Sequence, residues 1–411
     1  LRPSKQLADN LVSMLKGNQE FIMLDDQKVV YETALSMIRK ASADKKQVLI
    51  VKGGPGTGKS VVAINLLVET TRNRLVSRYV SKNAAPRAVY AAKLAGTLRK
   101  NQIYNMFGGS GTFYNTPANT FDVLIVDEAH RLNAKSGMFQ NKGENQIKEI
   151  INASKVSVFF IDEDQVVTSK DIGSINGIKH WAEALGSELY YNDETKLVSQ
   201  FRCNGSDGYI AFWDNILGIR KTANYDLSDL NYDVKLFEDP NDMRLELLKK
   251  NHINNKARMI AGYCYEWVSK NNPNGYVYDI NLPHDFHAKW NFGTTKTWAI
   301  DPDSFAQVGC IHTSQGLEFD YCGIIIGKDL RYENGHIITD ASKRARSDKS
   351  LVGLYNNPLG VTADKIIRNT YKTLLTRGQK GCYIYCEDHA LFEYLSQWLP
   401  VVHRNDEMDE I

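Results

Sequence analysis

Short, unbroken apolar runs alternate along this chain with segments of helical period. Val48-Leu49-Ile50-Val51, Phe121 to Val126 and Val156 to Ile161 have the length and composition of strands buried on both faces. Arg74 to Val80 is strand-like and ends in Ser81-Lys82-Asn83. Between these runs, apolar residues recur at every third and fourth position. Leu7, Leu11 and Leu15 predict a helix over 4–16, with Ser4 as N-cap and Gly17 as stop. Tyr31, Ala34, Leu35 and Ile38 predict a second over 27–41, capped by Asp25 or Asp26, and Pro86 opens a third to about Leu98. Residues 100–120, rich in Gly, Asn and Thr, read as a loop or small insertion. Strands alternating with helices predict an α/β fold on a doubly wound parallel sheet.

The pattern continues with a strand over Tyr190 to Val198, after which a domain boundary is expected. The polar stretch of about 205–250 reads as a helical connector. A second set of strands starts at Arg258 to Tyr265 and includes Val308 to Ile311, Tyr321 to Gly327 and Gly381 to Cys386. A helix over Ala363 to Leu375 precedes the last strand, with Gly378 as its stop. Residues 270–305 carry many aromatics, including Trp290 and Trp298. Packing beneath a long loop is favoured for these rings over base stacking. The basic stretch 340–350, with Lys343, Arg344, Arg346 and Lys349, reads either as a phosphate-contacting loop or as a solvated surface. The expected divisions are an N-terminal helical extension (1–20), a first domain (21–200), a connector (201–257), a second domain (258–400) and an acidic tail (401–411).

Chemistry enters where the strands end. The first apolar run leads into Gly53-Gly54-Pro55-Gly56-Thr57-Gly58-Lys59-Ser60, and another apolar run follows. This is the strand–loop–helix setting of a phosphate-binding loop. Inward-pointing backbone amides and the helix N-terminus attract phosphate oxygens. Lys59 would reach the β- and γ-phosphates of ATP, and the Ser60 hydroxyl would ligate Mg²⁺. The strand Phe121 to Val126 ends in Asp127-Glu128-Ala129-His130. A carboxylate there faces the ligand crevice of an open α/β sheet. Asp127 is expected to hold Mg²⁺ and Glu128 to be the general base for the attacking water. Gln165, in Asp162-Glu163-Asp164-Gln165 after the next strand, would touch the γ-phosphate or the water. Gln27, just upstream of the phosphate loop, is either an adenine reader or a solvent-facing helix residue.

Composition adds less. Apolar residues make up 43% and charged residues 24% of 411, the profile of a globular chain long enough for two domains. A net charge of +2 neither requires nor excludes nucleic acid, because a basic footprint can be local. The cysteines at 203, 264, 310, 322, 382 and 386 are dispersed, which suggests a reduced, cytoplasmic protein. Cys382 and Cys386 read as buried thiols rather than metal ligands. There is no apolar run of membrane-spanning length, so no membrane partner is expected. The chain starts Leu1-Arg2-Pro3-Ser4 and is expected to be a piece of a longer one with an N-terminal partner domain.

Taken in order, these segments resemble a superfamily 1 helicase or translocase motor. The phosphate loop is similar to motif I, Tyr79 to Asn83 to motif Ia, Asp127 to His130 to motif II, and Asp162 to Gln165 to motif III. Gln200-Phe201-Arg202 is similar to motif IV, Ile311 to Phe319 to motif V and Leu374 to Gly378 to motif VI. The nearest named group is the Schlafen-type helicase-like proteins and their bacterial and phage relatives. The resemblance implies a P-loop NTPase of two tandem RecA-like domains with parallel sheets and ATP in the cleft between them. It implies that Arg202 and Arg377 act as arginine fingers, and that Gly316 and Glu318 of motif V belong to the nucleotide site. Ser81, Lys82, His312 and Thr313 fall where the family tracks single-stranded nucleic acid, with DNA favoured over RNA. Two positions depart from the pattern: Ile161 stands where motif III usually has glycine, and motif VI reads Thr-Arg-Gly. The accessory insertions, about 100–120 and 265–305, are short, so ATP hydrolysis is better supported than duplex unwinding. The expected function is a nucleic-acid-dependent ATPase that moves on DNA or RNA. The alternative is an ATP-dependent switch or sensor that does not unwind processively. A metabolic kinase would leave Gln200-Phe201-Arg202 and His312 to Gly316 without a role.

Overall fold

The computed structural model describes residues 3, 9, 12, 15, 23, 25–54, 56–95, 105–198, 207–222, 227, 231–272, 275–291, 297–314, 319–352 and 362–404. They divide into two compact units, Leu1–Val166 with Lys170–Ser199 and Val167–Ser169 with Gln200–Ile411.

The first unit contains β1 (Gln47–Gly53), β2 (Ser77–Val80), β3 (Phe107–Gly108), β4 (Phe121–Val126), β5 (Ser154–Ile161), β6 (Glu188–Tyr190) and β7 (Lys196–Leu197). Its helices are α1 (Asp25–Lys40), α2 (Lys59–Arg72), α3 (Ala84–Ala95), α4 (Gln146–Ala153) and α5 (Ile175–Ala184). The sheet order is β3-β2-β4-β5-β1-β6, with β7 also beside β1, and every pairing is parallel. Alternation along β1 explains why its run is wholly apolar. Leu49 and Val51 enter a core with Val30 and Ala34 of α1 and Val62 and Leu66 of α2. Val48 and Ile50 enter a second core with Ile147 and Ile150 of α4 and Ile178 of α5. Helices on both faces bury the central strands β1, β4 and β5, as the apolar runs predict, while the edge strand β6 stays exposed.

Two readings change here. The stretch 100–120, expected as a loop or insertion, contains β3 and a 3-10 turn at Ser110–Thr112. A two-residue strand has no period to read; the register with Tyr79 and Val80 creates it. The strand expected over 190–198 is two pieces, because the Asn192 side chain caps a 3-10 turn at Asp193–Thr195 with a reciprocal bond from Thr195.

The second unit contains β8 (Asp233–Phe237), β9 (Ala257–Ala261), β10 (Ile280–Leu282), β11 (Phe286–Trp290), β12 (Gln307–Gly309), β13 (Phe319–Ile326), β14 (Leu330–Glu333), β15 (His336–Thr339), β16 (Gly378–Cys386) and β17 (Val401–Val402). Its helices are α6 (Asp207–Ile216), α7 (Pro240–Asn254), α8 (Ile311–Ser314), α9 (Ala363–Leu375) and α10 (His389–Leu395). The sheet order is β10-β11-β12-β9-β13-β16-β8-β17, parallel except for the β10–β11 hairpin, while β14 and β15 form a separate hairpin.

The stretch 201–257, expected as a connector, supplies α6, β8 and α7 to this unit. Val234, Leu236 and Phe237 are buried in β8. Helix α7 is capped by Asp239, with Pro240 in its first turn, and buries only Pro240, Met243 and Leu247. So narrow an apolar stripe makes a packed helix look like a polar linker. Val401 and Val402, expected in the acidic tail, pair with Leu236 and Phe237 at the sheet edge. Gly378 does not stop α9. Thr376 caps the helix and Gly378 opens β16, where a Cβ would lie 2.1 Å from the Gly381 carbonyl oxygen. Trp290 and Trp298 are buried, as the packing reading expects. Cys382 and Cys386 are also buried, and burial pushes the Cys382 thiol up to about 12. Of the basic stretch 340–350, Arg344 fits neither reading: it is buried and pairs with Asp348 at 2.7 Å. Among the described residues, no helix is long and apolar enough to cross a membrane.

Candidate nucleotide site

The phosphate loop lies between the carboxyl end of β1 and the start of α2. Gly56 and Gly58 have φ of 76° and 79°, the left-handed region that glycine enters without strain. Gly58 has a second reason: a Cβ there would lie 2.0 Å from Gln27 Nε2. That amide donates to the Thr57 carbonyl at 3.1 Å, and Gln27 is 2% exposed. Gln27 is therefore not solvent-facing; it buttresses the loop. Thr57 Oγ1 donates to the Gly54 carbonyl at 3.0 Å. Lys59 Nζ donates to the Gly53 and Gly54 carbonyls at 2.6 and 2.7 Å. The ammonium is thus held inside the loop by neutral acceptors. Pro55 lies outside the described residues.

Sheet order brings the second element in. β5 separates β4 from β1, and all three end at one edge. Ser60 Oγ, on the first turn of α2, donates to Asp127 Oδ2 at 2.6 Å. Tyr79, at the end of β2, donates to the same oxygen at 2.7 Å. Burial and the Asp127 charge push the Tyr79 hydroxyl well above its usual value, so it stays a donor. Asp127 Oδ1 accepts from the Glu128 amide at 2.9 Å. Glu128 is 5% exposed and left-handed at φ 52°, ψ 46°. A non-glycine residue pays roughly 1–2 kcal/mol for that conformation. Strain of this kind clusters where a side chain must be aimed. Ser81 Oγ faces Glu128 Oε2 at 3.4 Å. A serine hydroxyl beside a carboxylate is the hard-oxygen donor set that Mg²⁺ takes. Mg²⁺ is usually held by one or two carboxylates plus substrate phosphates, so it needs no larger cage. Among the described residues no group of three or more His, Cys, Asp or Glu side chains could hold a metal ion.

Beyond β5, Gln165 Nε2 donates to Asp162 Oδ2 at 2.6 Å, and Asp162 caps the 3-10 turn that carries Gln165. The Asp162 amide donates to Nδ1 of buried His130 at 3.4 Å, linking the ends of β4 and β5. Lys82 donates to Asn133 Oδ1 at 2.9 Å and to Asp171 Oδ1 at 3.1 Å. Burial raises the Asp171 carboxyl, but Arg131 and Lys82 outweigh it and hold it at about 2. Burial in turn lowers the Lys82 ammonium against the pull of Asp171. The Lys82 side chain remains one quarter exposed.

The remaining expected residues lie in the second unit. Arg377 is 1% exposed; Nε donates to the Thr373 carbonyl and Nη1 to the Ser314 carbonyl, each at 3.2 Å. Thr313 Oγ1 caps its own turn, accepting from the Cys310 amide at 2.9 Å. His312 lies against the Tyr263 ring, centroids 5.5 Å apart. Arg202, Gly316 and Glu318 fall outside the described residues. The sequence reading put Ser60, Asp127 and Glu128 in one site, and Ser60 bonds Asp127. It missed Tyr79 as an Asp127 ligand and Asp171 as the partner of Lys82. Tyr79 is the residue before the end of a strand adjacent to β4, a signal legible only once β2 and β4 are known to be neighbours.

The family model described as Schlafen group 3, DNA/RNA helicase domain, matches residues 46–388. An uncharacterized protein of Saccharomyces cerevisiae, YPL245W, is 24% identical over 431 residues, covering 90% of this chain and 89% of its own. Among solved structures, an arterivirus nonstructural protein 10 helicase is 14% identical with a TM-score of 0.35, covering 86% of this chain. The match spans 61% of that helicase. A Bacteroides Pif1 helicase in complex with ADP-AlF3 and single-stranded DNA is 11% identical with a TM-score of 0.34, covering 84% of this chain and 94% of its own. The family match reaches into both units and covers the glycine-rich loop and the Asp127 and Asp162 strand ends, and the chain belongs to the Schlafen group 3 DNA/RNA helicase domain family.

Proposed function

We propose that this chain is a nucleic-acid-dependent ATPase, a motor that couples ATP hydrolysis to movement on DNA or RNA. The observation that carries the reading is the Ser60–Asp127 pair at 2.6 Å, set between the phosphate loop and Glu128. The loop amides and Lys59 bind the β- and γ-phosphates, with Lys59 leaving the Gly53 and Gly54 carbonyls for better acceptors. Mg²⁺, when bound, supplies charge neutralisation on the phosphate oxygens, and Ser60 and Asp127 are the residues that hold it. Glu128 accepts the proton of a water whose oxygen attacks the γ-phosphorus. The bond from that phosphorus to the ADP oxygen breaks, and ADP carries away the electron pair. Gln165 orients the water. Arg202 and Arg377 offset the charge that develops on the transferred group, and Gln27, Gly316 and Glu318 complete the nucleotide contacts. Ser81, Lys82, His312 and Thr313 follow the backbone of the single strand.

Steady-state ATP hydrolysis by wild type and Lys59→Ala, each with no polymer, with single-stranded DNA and with single-stranded RNA, tests this directly. Polymer-stimulated turnover in wild type, abolished in Lys59→Ala, is expected. Lys59-dependent turnover indifferent to both polymers would replace the motor with a nucleotide switch. No Lys59-dependent turnover under any condition would overturn the enzyme reading.

A further inference from the structure

Met138 and Phe139 are 91% and 82% exposed. They sit at the tip of a loop, residues 133–146, that follows the catalytic acids. Its two ends are tied together: the Gln146 amide donates to the Asn133 carbonyl at 3.2 Å, and the Asn133 amide donates to Gln146 Oε1 at 3.0 Å. Gln146 Nε2 also holds Ser136 Oγ at 3.1 Å. Ser136 and Lys142 exchange backbone bonds of 2.7 and 3.1 Å, and the Gln140 amide closes the turn onto the Gly137 carbonyl at 3.1 Å. Left-handed φ values of 87° at Gly137 and 51° at Gln140 make the reversal tight. A backbone fastened at each level presents two adjacent large apolar side chains to water, where burying them would return about 1.5–3 kcal/mol each. Paired exposure on a fixed scaffold marks a contact surface.

The surroundings say which partner. The loop leaves the carboxyl edge of the sheet, where open α/β sheets bind ligands. Exposed Lys135 and Lys142 flank the tip, and the Lys142 ammonium lies 5.3 Å over the ring of half-exposed Tyr114. The nearby Glu144 carboxylate is taken by Lys148 at 2.5 Å. Asn133, at the base, accepts from Lys82. Aromatics interleaved with lysines are the composition of a single-strand platform, where rings stack on bases and ammonium groups meet phosphates. We propose that Phe139, with Met138 beside it, is a stacking platform for an unpaired base of single-stranded nucleic acid, with Lys135 and Lys142 on the adjoining phosphates. The inference rests on the nucleic-acid partner of the proposed function and adds to it the residues that grip a base.

Fluorescence anisotropy of the full chain with fluorescein-labelled oligothymidylate and oligouridylate tests it. Phe139→Ala is expected to weaken affinity roughly five- to 150-fold. The slope of log affinity against log salt should stay unchanged in that variant, because no phosphate contact is lost, whereas Lys142→Ala should flatten it. Phe139→Trp should restore affinity and Phe139→Leu should not. Basal ATP turnover without polymer, equal in all Phe139 variants, reports an intact fold. Wild-type affinity in Phe139→Ala overturns the platform alone. Full affinity in Phe139→Leu also overturns stacking, in favour of a plain apolar contact. Failure of wild type to bind either oligonucleotide overturns both the platform and the proposed function.

Discussion

Each unit gathers acidic residues at the carboxyl ends of its parallel strands, and the two edges use them in opposite ways. In the first unit, Asp127 meets hydroxyls and an amide: Ser60 Oγ, the Tyr79 hydroxyl and its neighbour's amide. The loop that Ser60 follows carries four glycines, Gly53, Gly54, Gly56 and Gly58, and so little side-chain volume. In the second unit, the loop after β13 places Asp329 at 0% exposure, bonded to the Tyr371 hydroxyl and 3.9 Å from Arg344 Nε. Glu387, just after β16, accepts from the Tyr265 hydroxyl. The Ala345 amide donates to the Tyr263 carbonyl at 2.7 Å, fastening the loop that carries Arg344. A tyrosine hydroxyl meets the carboxylate at both edges, and the second adds a buried guanidinium, Arg344, where the first has the Ser60 hydroxyl. Burial, opposed by Arg344 and Tyr371, still pushes the Asp329 carboxyl up, and burial does the same to Glu387. The first edge meets its carboxylate with hydroxyls, and the second sets a buried cation beside it.

That contrast can be broken by substitution. Glu128→Gln in the first unit should cut polymer-stimulated turnover by about 10²–10⁴-fold, the worth of a general base, while nucleotide binding persists. A variant that turns over normally would remove Glu128 from that role. Its thermal midpoint should match wild type, because the substitution keeps size and backbone. Arg344→Ala in the second unit should do the reverse and lower stability by about 3–5 kcal/mol, since buried Asp348 loses its cation. Urea unfolding reads this, and an unchanged midpoint would show that Arg344 does not hold the edge together.

The smallest effect sharpens the comparison through pH. Asp329 holds its proton more tightly in the folded state than in the unfolded chain. Its stabilising contribution is therefore complete below the ordinary carboxylate value of about 4 and is lost as pH rises through the raised folded value. Asp329→Asn keeps an acceptor for Tyr371 and cannot titrate. The thermal midpoint of the variant minus that of wild type should grow with pH above that ordinary value. A difference that stays constant with pH would mean that burial does not raise the Asp329 carboxyl.

Much of the site was legible because its signals are local. Gly53 to Ser60 specifies a turn that only glycines can make, and Asp127-Glu128 ends an apolar run too regular to miss. The connector failed for a physical reason: α7 buries one narrow stripe, and β8 is five residues of alternating pattern between polar neighbours. β3 and β17, two residues each, exist only because a neighbouring strand offers its hydrogen bonds. Arg344 looked like part of a charged surface because sequence shows charge and not the aspartates that face it.

The sequence by itself determined the α/β class, the glycine-rich loop after β1, the acids at the end of β4 and the family, since each depends on residue type at short spacing. Only the tertiary structure decided which strands are neighbours, and with them the pairing of Tyr79 with Asp127, of Lys82 with Asp171 and of Asp329 with Tyr371. Those partners are 48, 89 and 42 residues apart in the chain. No local pattern encodes such distances, because sheet order is set by how whole faces of apolar strands and helices bury one another.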